Sequence, residues 1–108
     1  MKTAFSVVKD RRTLKIRLTR DSVAAGDDLH APHEKIVEVY SFVEPVALIN
    51  HVYPGYLPQI AGIGHSWDCV LNGRIIATIT VEGVAPRVSE LSYGLENLLH
   101  FSYRSATY

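Results

Sequence analysis

A chain of 108 residues, 47% apolar and 20% charged with acids and bases in equal number, has the size and composition of one globular domain, which excludes a disordered or fibrous segment. Its single cysteine, Cys69, excludes an internal disulfide framework, and a formal net charge of zero argues against direct nucleic acid binding by whole-surface attraction. No apolar run approaches the roughly 20 residues needed to cross a bilayer and no apolar signal core follows Met1-Lys2, so the expectation is one domain over 1–108, cytoplasmic and without a membrane partner.

The zero net charge hides a strong sorting. Residues 1–20 hold seven bases (Lys2, Lys9, Arg11, Arg12, Lys15, Arg17, Arg20) against Asp10. Residues 21–50 hold six acids (Asp21, Asp27, Asp28, Glu34, Glu38, Glu44) against Lys35. Such asymmetry points either to a charged partner or to a basic strand paired internally with an acidic one.

In chain order, residues 3–20 read as a β-hairpin. Thr3 to Val8 is short and β-prone, and Lys9-Asp10-Arg11-Arg12 reads as its polar turn. Thr13 to Arg20 alternates, with Leu14, Ile16 and Leu18 opposite Lys15, Arg17 and Thr19, as a strand with one buried face requires. Asp21 to His33 is a long loop, because Gly26, Asp27 and Asp28 form turns and Pro32 blocks a helix. Lys35 to Phe42 alternates again, with Ile36, Glu38, Tyr40 and Phe42 on one side and Lys35, Val37, Val39 and Ser41 on the other.

Glu44-Pro45 marks a helix start, with Pro45 at the first helical position and Pro54-Gly55 as the stop. His65–Leu71 and Arg74–Val81 flank Asn72-Gly73, a strong hairpin signal because both turn residues accept positive φ. Gly83 to Pro86 reads as a break. Leu91, Leu95, Leu98 and Leu99 recur at helical spacing, which predicts a short helix within 89–99, and the alternation after Leu99 predicts a final strand. The sum is an α+β domain: a mostly antiparallel sheet built from hairpins, with one or two short helices packed on one face.

Four groups carry candidate chemistry. The segment Asp27-Asp28-Leu29-His30-Ala31-Pro32-His33-Glu34 gathers carboxylates and imidazoles. As a metal site it would use His30, His33 and Asp28, with His51 or His65 completing the shell. Its bland reading is a solvated loop whose aspartates cap turns. Cys69 lies near His65 and Asp68, but a four-residue strand spacing of about 13 Å keeps the thiol from that imidazole, so it reads as a buried hydrophobe. Lys9, Arg11, Arg12, Lys15 and Arg17 form a basic stripe without interleaved aromatics. Tyr53, Tyr56 and Trp67 are binding-type aromatics that also serve as ordinary packing.

No phosphate loop, nucleophile elbow, HExxH or CxxC motif is present, so no cofactor is implied and the balance leans away from an enzyme. The leading expectation is a protein-binding module that presents an acidic, Tyr-containing surface to a basic protein. Asp27, Asp28, His30, Glu34 and Glu38 would supply polar contacts, and Tyr53 and Tyr56 contact area. Its most concrete form is a small bacterial immunity or antitoxin protein that inhibits a nuclease-type toxin. The alternatives are a metal-assisted hydrolase built on the 27–33 loop and a structural subunit that homodimerises through a sheet edge.

Overall fold

The computed structural model describes residues 8–21, 34–57 and 65–104, with side chains from residue 13 onward in the first stretch. Its elements are β1 (Val8–Arg20), β2 (Glu34–Phe42), α1 (Pro45–Val52), β3 (Ser66–Leu71), β4 (Arg74–Thr80), β5 (Gly83–Pro86) and β6 (Leu98–Arg104). The six strands form one mixed sheet in the order β2-β1-β6-β3-β4-β5. β1 and β6 run parallel, and the other four pairings are antiparallel.

Alternation along each strand creates two faces. Ile16, Leu18, Val39, Trp67, Cys69, Leu71, Ala77, Ile79, Leu99 and Phe101 are buried in one core. Leu48, Ile49 and Val52 of α1 join it, as does Tyr56, whose ring lies 5.8 Å from that of Phe101. Each fully buried large side chain contributes about 1.5–3 kcal/mol relative to exposure. In α1, Pro45 needs no amide partner at the first turn, Tyr53 N–H donates to the Ile49 carbonyl at 3.0 Å, and Gly55 at φ 84° carries the chain away. Asn72 (φ 51°) and Gly73 (φ 88°) make the two-residue turn between β3 and β4.

β4 contains a bulge. Cys69 pairs with Ala77, but Val70 pairs with Ile75, which leaves Ile76 as the extra residue. Ile76 and Ala77 are therefore both buried, and strict alternation fails there.

The structure corrects three expectations. Lys9–Arg12 is no hairpin turn: β1 runs unbroken through it, and the register shifts between Val8, opposite Phe42, and Thr13, opposite Tyr40. The polar stretch is absorbed as an irregularity in a strand whose antiparallel partner is β2 (residues 3–7 of the expected hairpin lie outside the described residues). Gly83–Pro86 is an edge strand paired with β4, a place where Pro86 leaves no central ladder bond unmade. Residues 89–97 form no helix. Gly94 and Asn97 hydrogen-bond each other instead, Leu95 is fully exposed, and Leu98 and Leu99 belong to β6.

Candidate functional site

The face of the sheet opposite the core is where side chains from different strands meet solvent. Residues paired in register share a face, so Ile36 of β2, Arg17 of β1 and Leu98 of β6 form one row. Glu34, Thr19 and His100 form the next. Ile36 is 64% exposed, Tyr40 49% and Leu98 42%, a high exposure for large apolar groups sharing one face. Between them the charges balance locally. Arg17 Nε donates to the Glu34 carboxylate, Thr13 Oγ1 donates to Glu38 at 2.8 Å, and Lys15 stands opposite Glu38 in register. Exposed pairs of this kind contribute about 0–1 kcal/mol each. In these strands the sequence's basic–acidic sorting is cross-strand architecture.

The end of the β1–β6 ladder is closed by a side chain. Arg17 N–H donates to the Asn97 carbonyl at 2.9 Å and Asp21 N–H to the Phe101 carbonyl at 3.0 Å. The slanted parallel pattern would next send the Tyr103 N–H to the Asp21 carbonyl. It goes to the Asp21 carboxylate instead, at 3.0 Å, and the Asp21 carbonyl accepts from Arg20 Nη1 at 3.1 Å. Ser102 Oγ donates to the same carboxylate at 3.4 Å, and His100 Nε2 lies 3.0 Å from its other oxygen. Because a carboxylate only accepts, Nε2 carries the proton of that bond. His100 Nδ1 then meets Thr19 Oγ1 at 2.8 Å, so imidazole, hydroxyl and carboxylate form one relay across β1 and β6. Burial alone would raise the Asp21 pKa, but the Tyr103 N–H, His100 and Ser102 outweigh it and hold the carboxyl below its ordinary 3.8. The relay uses both ring nitrogens inside the molecule and acts as a clasp between the two strands.

A second polar chain crosses β6, β3 and β4. Arg104 Nη2 donates to Asp68 at 2.8 Å, Thr78 Oγ1 donates to Asp68 at 3.0 Å, and Arg87 Nη1 donates to Thr78 Oγ1 at 3.0 Å.

The residues singled out from sequence are distributed unevenly. Asp27, Asp28, His30 and His33 lie outside the described residues. Glu34 and Glu38 are exposed on β2 with the partners above. Tyr53 is half-buried and Tyr56 is 1% exposed. Burial, with a smaller opposing pull from Arg20, pushes the Tyr56 phenol up to about 12. Tyr56 is core material and offers no surface, because its ring fills the space beside Phe101. Cys69 is buried as expected, and burial followed by the neighbouring Asp68 charge pushes its thiol up to about 12. His65 Nδ1 lies 2.5 Å from the Tyr103 hydroxyl and His51 packs against Phe42. Among the described residues, no three His, Cys, Asp or Glu side chains are placed to hold a metal ion. None of the described helices is long and apolar enough to cross a membrane.

Sequence reasoning missed Ile36, Tyr40 and Leu98 as surface groups. The signal was the β2 alternation, which places Ile36 and Tyr40 beside Glu38, but deciding which side faces water required knowing where the core lies. No family model, curated protein or solved structure matches this chain.

Proposed function

We propose that the chain is a small protein-binding module that docks through the outer face of β2, β1 and β6. The observation that carries this reading is the exposure of Ile36, Tyr40 and Leu98 on one sheet face, ringed by Lys15, Arg17, Glu34 and Glu38. Apolar anchors inside a polar rim are the usual anatomy of a protein interface. The partner is a basic protein. Glu34, Glu38 and Asp21 are met by neighbours within the sheet, so this part of the reading rests on Asp27 and Asp28, in the connection whose two ends, Asp21 and Glu34, stand at one end of this face. The most concrete form is an immunity or antitoxin protein that blocks the nucleic-acid site of a nuclease toxin, where carboxylates replace phosphates against Lys and Arg.

The test compares the chain with its Ile36→Glu/Leu98→Glu variant as bait, followed by titration of the purified retained protein at two salt concentrations. The reading expects a basic protein held by the parent and released by the variant. It also expects Asp27→Asn with Asp28→Asn to weaken binding and flatten its salt dependence. Retention of nothing, or equal retention by both baits, would overturn it. A doubled solution mass that falls to monomer in the same variant would reassign the face to self-association, against which the charges of Glu34, Lys35 and Glu38 on edge strand β2 argue. Stoichiometric zinc or manganese lost on His30→Ala would restore the hydrolase alternative.

A further inference from the structure

Of the chain's asparagines, Asn50, Asn72 and Asn97, only Asn72 precedes a glycine. An Asn-Gly bond is the sequence most open to spontaneous deamidation, because glycine carries no side chain to shield its peptide nitrogen. Gly73 N attacks Asn72 Cγ, the new C–N bond closes a succinimide ring, and Nδ2 leaves as ammonia, taking the Gly73 amide proton. Water then opens the ring at either carbonyl and leaves aspartate or isoaspartate at position 72. Asn72 and Gly73 are both exposed, so water reaches the turn.

The fold draws the reacting atoms apart. Asn72 follows the end of β3, which has β6 on one side and β4 on the other. The Asn72 carboxamide is engaged on the β6 side: Oδ1 accepts from the Leu98 N–H at 2.8 Å, and Nδ2 donates to Asn97 Oδ1 at 2.9 Å. The Asn72 N–H donates to the Leu98 carbonyl, also at 2.8 Å. Gly73 leads the other way, into β4. Attack therefore requires the carboxamide to leave Leu98 and Asn97 and swing toward Gly73 N. Asn97 is buried, and its own amide is fixed at both ends. Its Oδ1 also accepts from the Gly94 N–H at 2.9 Å, and its Nδ2 donates to the Gly94 carbonyl at 3.2 Å, so an oxygen always faces Asn72.

We propose that Asn72 is a gated modification site, kept from deamidating by its contacts with Asn97 and Leu98 and converted irreversibly once they open. Aspartate at this position still accepts from the Leu98 N–H but sets an oxygen against Asn97 Oδ1, where a donor stood. Isoaspartate adds a backbone carbon to a two-residue turn whose flanks, Leu71 and Arg74, are paired in register. Either product unfastens the β3–β4 turn from residues 94–97. The site is independent of the docking face proposed above.

The experiment follows the mass gain of amide-to-acid conversion at position 72 by mass spectrometry, in warm, mildly alkaline buffer. The folded parent is expected to convert at least about tenfold more slowly than the same chain unfolded in guanidinium chloride, because the reaction runs from the locally opened state. Asn97→Ala, checked by circular dichroism to be folded, should lose most of that protection. Asp21→Ala, which weakens a different part of the sheet, should keep it. Asn72→Asp should unfold at a lower urea concentration than the parent. Equal rates in the folded and unfolded parent overturn the proposal, and that comparison decides it even where Asn97→Ala fails to fold. Protection kept in folded Asn97→Ala, or lost equally in Asp21→Ala, overturns the gate, and an unchanged urea midpoint for Asn72→Asp overturns the unfastening.

Discussion

Replacing Asp21 by alanine tests the idea that a carboxylate ends the parallel ladder in place of a backbone carbonyl. The substitution takes three contacts from one side chain: the Tyr103 N–H at 3.0 Å, His100 Nε2 at 3.0 Å and Ser102 Oγ at 3.4 Å. Hydrogen bonds to a charged group contribute about 1.5–3 kcal/mol when shielded. The Asp21 side chain is 43% exposed, however, so water replaces much of what His100 and Ser102 lose, and those two together are discounted to about 0–1 kcal/mol. Tyr103 N–H, deprived of its acceptor within the sheet, accounts for a further ~1–2 kcal/mol.

The expected cost at pH 7 is therefore about 2 kcal/mol, or roughly 10 °C in melting temperature for a domain of this length. Urea denaturation followed by circular dichroism measures it. The pH dependence has a definite sign. Asp21 titrates lower in the folded protein than its ordinary 3.8, so the charge-dependent part of its contribution is complete above that value and disappears as the pH falls through the lower, folded one. The difference between parent and Asp21→Ala should therefore narrow in strongly acidic solution to the part supplied by the Tyr103 acceptor, which a protonated carboxyl still provides. Asp21→Asn should keep the Tyr103 acceptor and lose only the pH-dependent part. A cost below about 0.5 kcal/mol at pH 7, or a difference that persists unchanged in acid, would refute the argument.

Gly73→Ala should destabilise by about 1 kcal/mol in the same assay, through positive φ alone, because a Cβ there meets nothing within 4 Å. Cys69 should resist a disulfide exchange reagent at pH 8 in the native state and react once urea unfolds the chain, since burial holds its thiol near 12; rapid native labelling would contradict that. Glu34→Gln should change the unfolding free energy by less than about 0.5 kcal/mol in urea denaturation, as both it and Arg17 are more than half exposed.

What could be read from the sequence was local. Pro45 and Gly55 bracket the helix and Asn72-Gly73 turns the hairpin because each acts on its own few residues. The alternation of Leu14, Ile16 and Leu18 identified a strand but not its neighbours. That strand pairs with β2 beyond a thirteen-residue connection and with β6 almost eighty residues later, and no short-range pattern encodes either choice. The leucines at 91, 95, 98 and 99 show how such a pattern misleads. Their helical spacing is real, but Leu91 enters the core, Leu95 points to water and the last two divide between the faces of β6. For the candidate site, the exposed acids of β2 were visible in advance. Their cationic neighbours became evident only with the β1–β2 register.

The position of β6 between β1 and β3 bears on how the molecule is made. On the ribosome, β1 to β5 emerge first, and the two edges that β6 will join stay open until residues 98–104 leave the exit tunnel. Through that interval the nascent chain carries two halves that cannot be stitched together, an arrangement that invites chaperone capture or pairing with another copy. Losing those seven residues would remove the seam rather than trim an end.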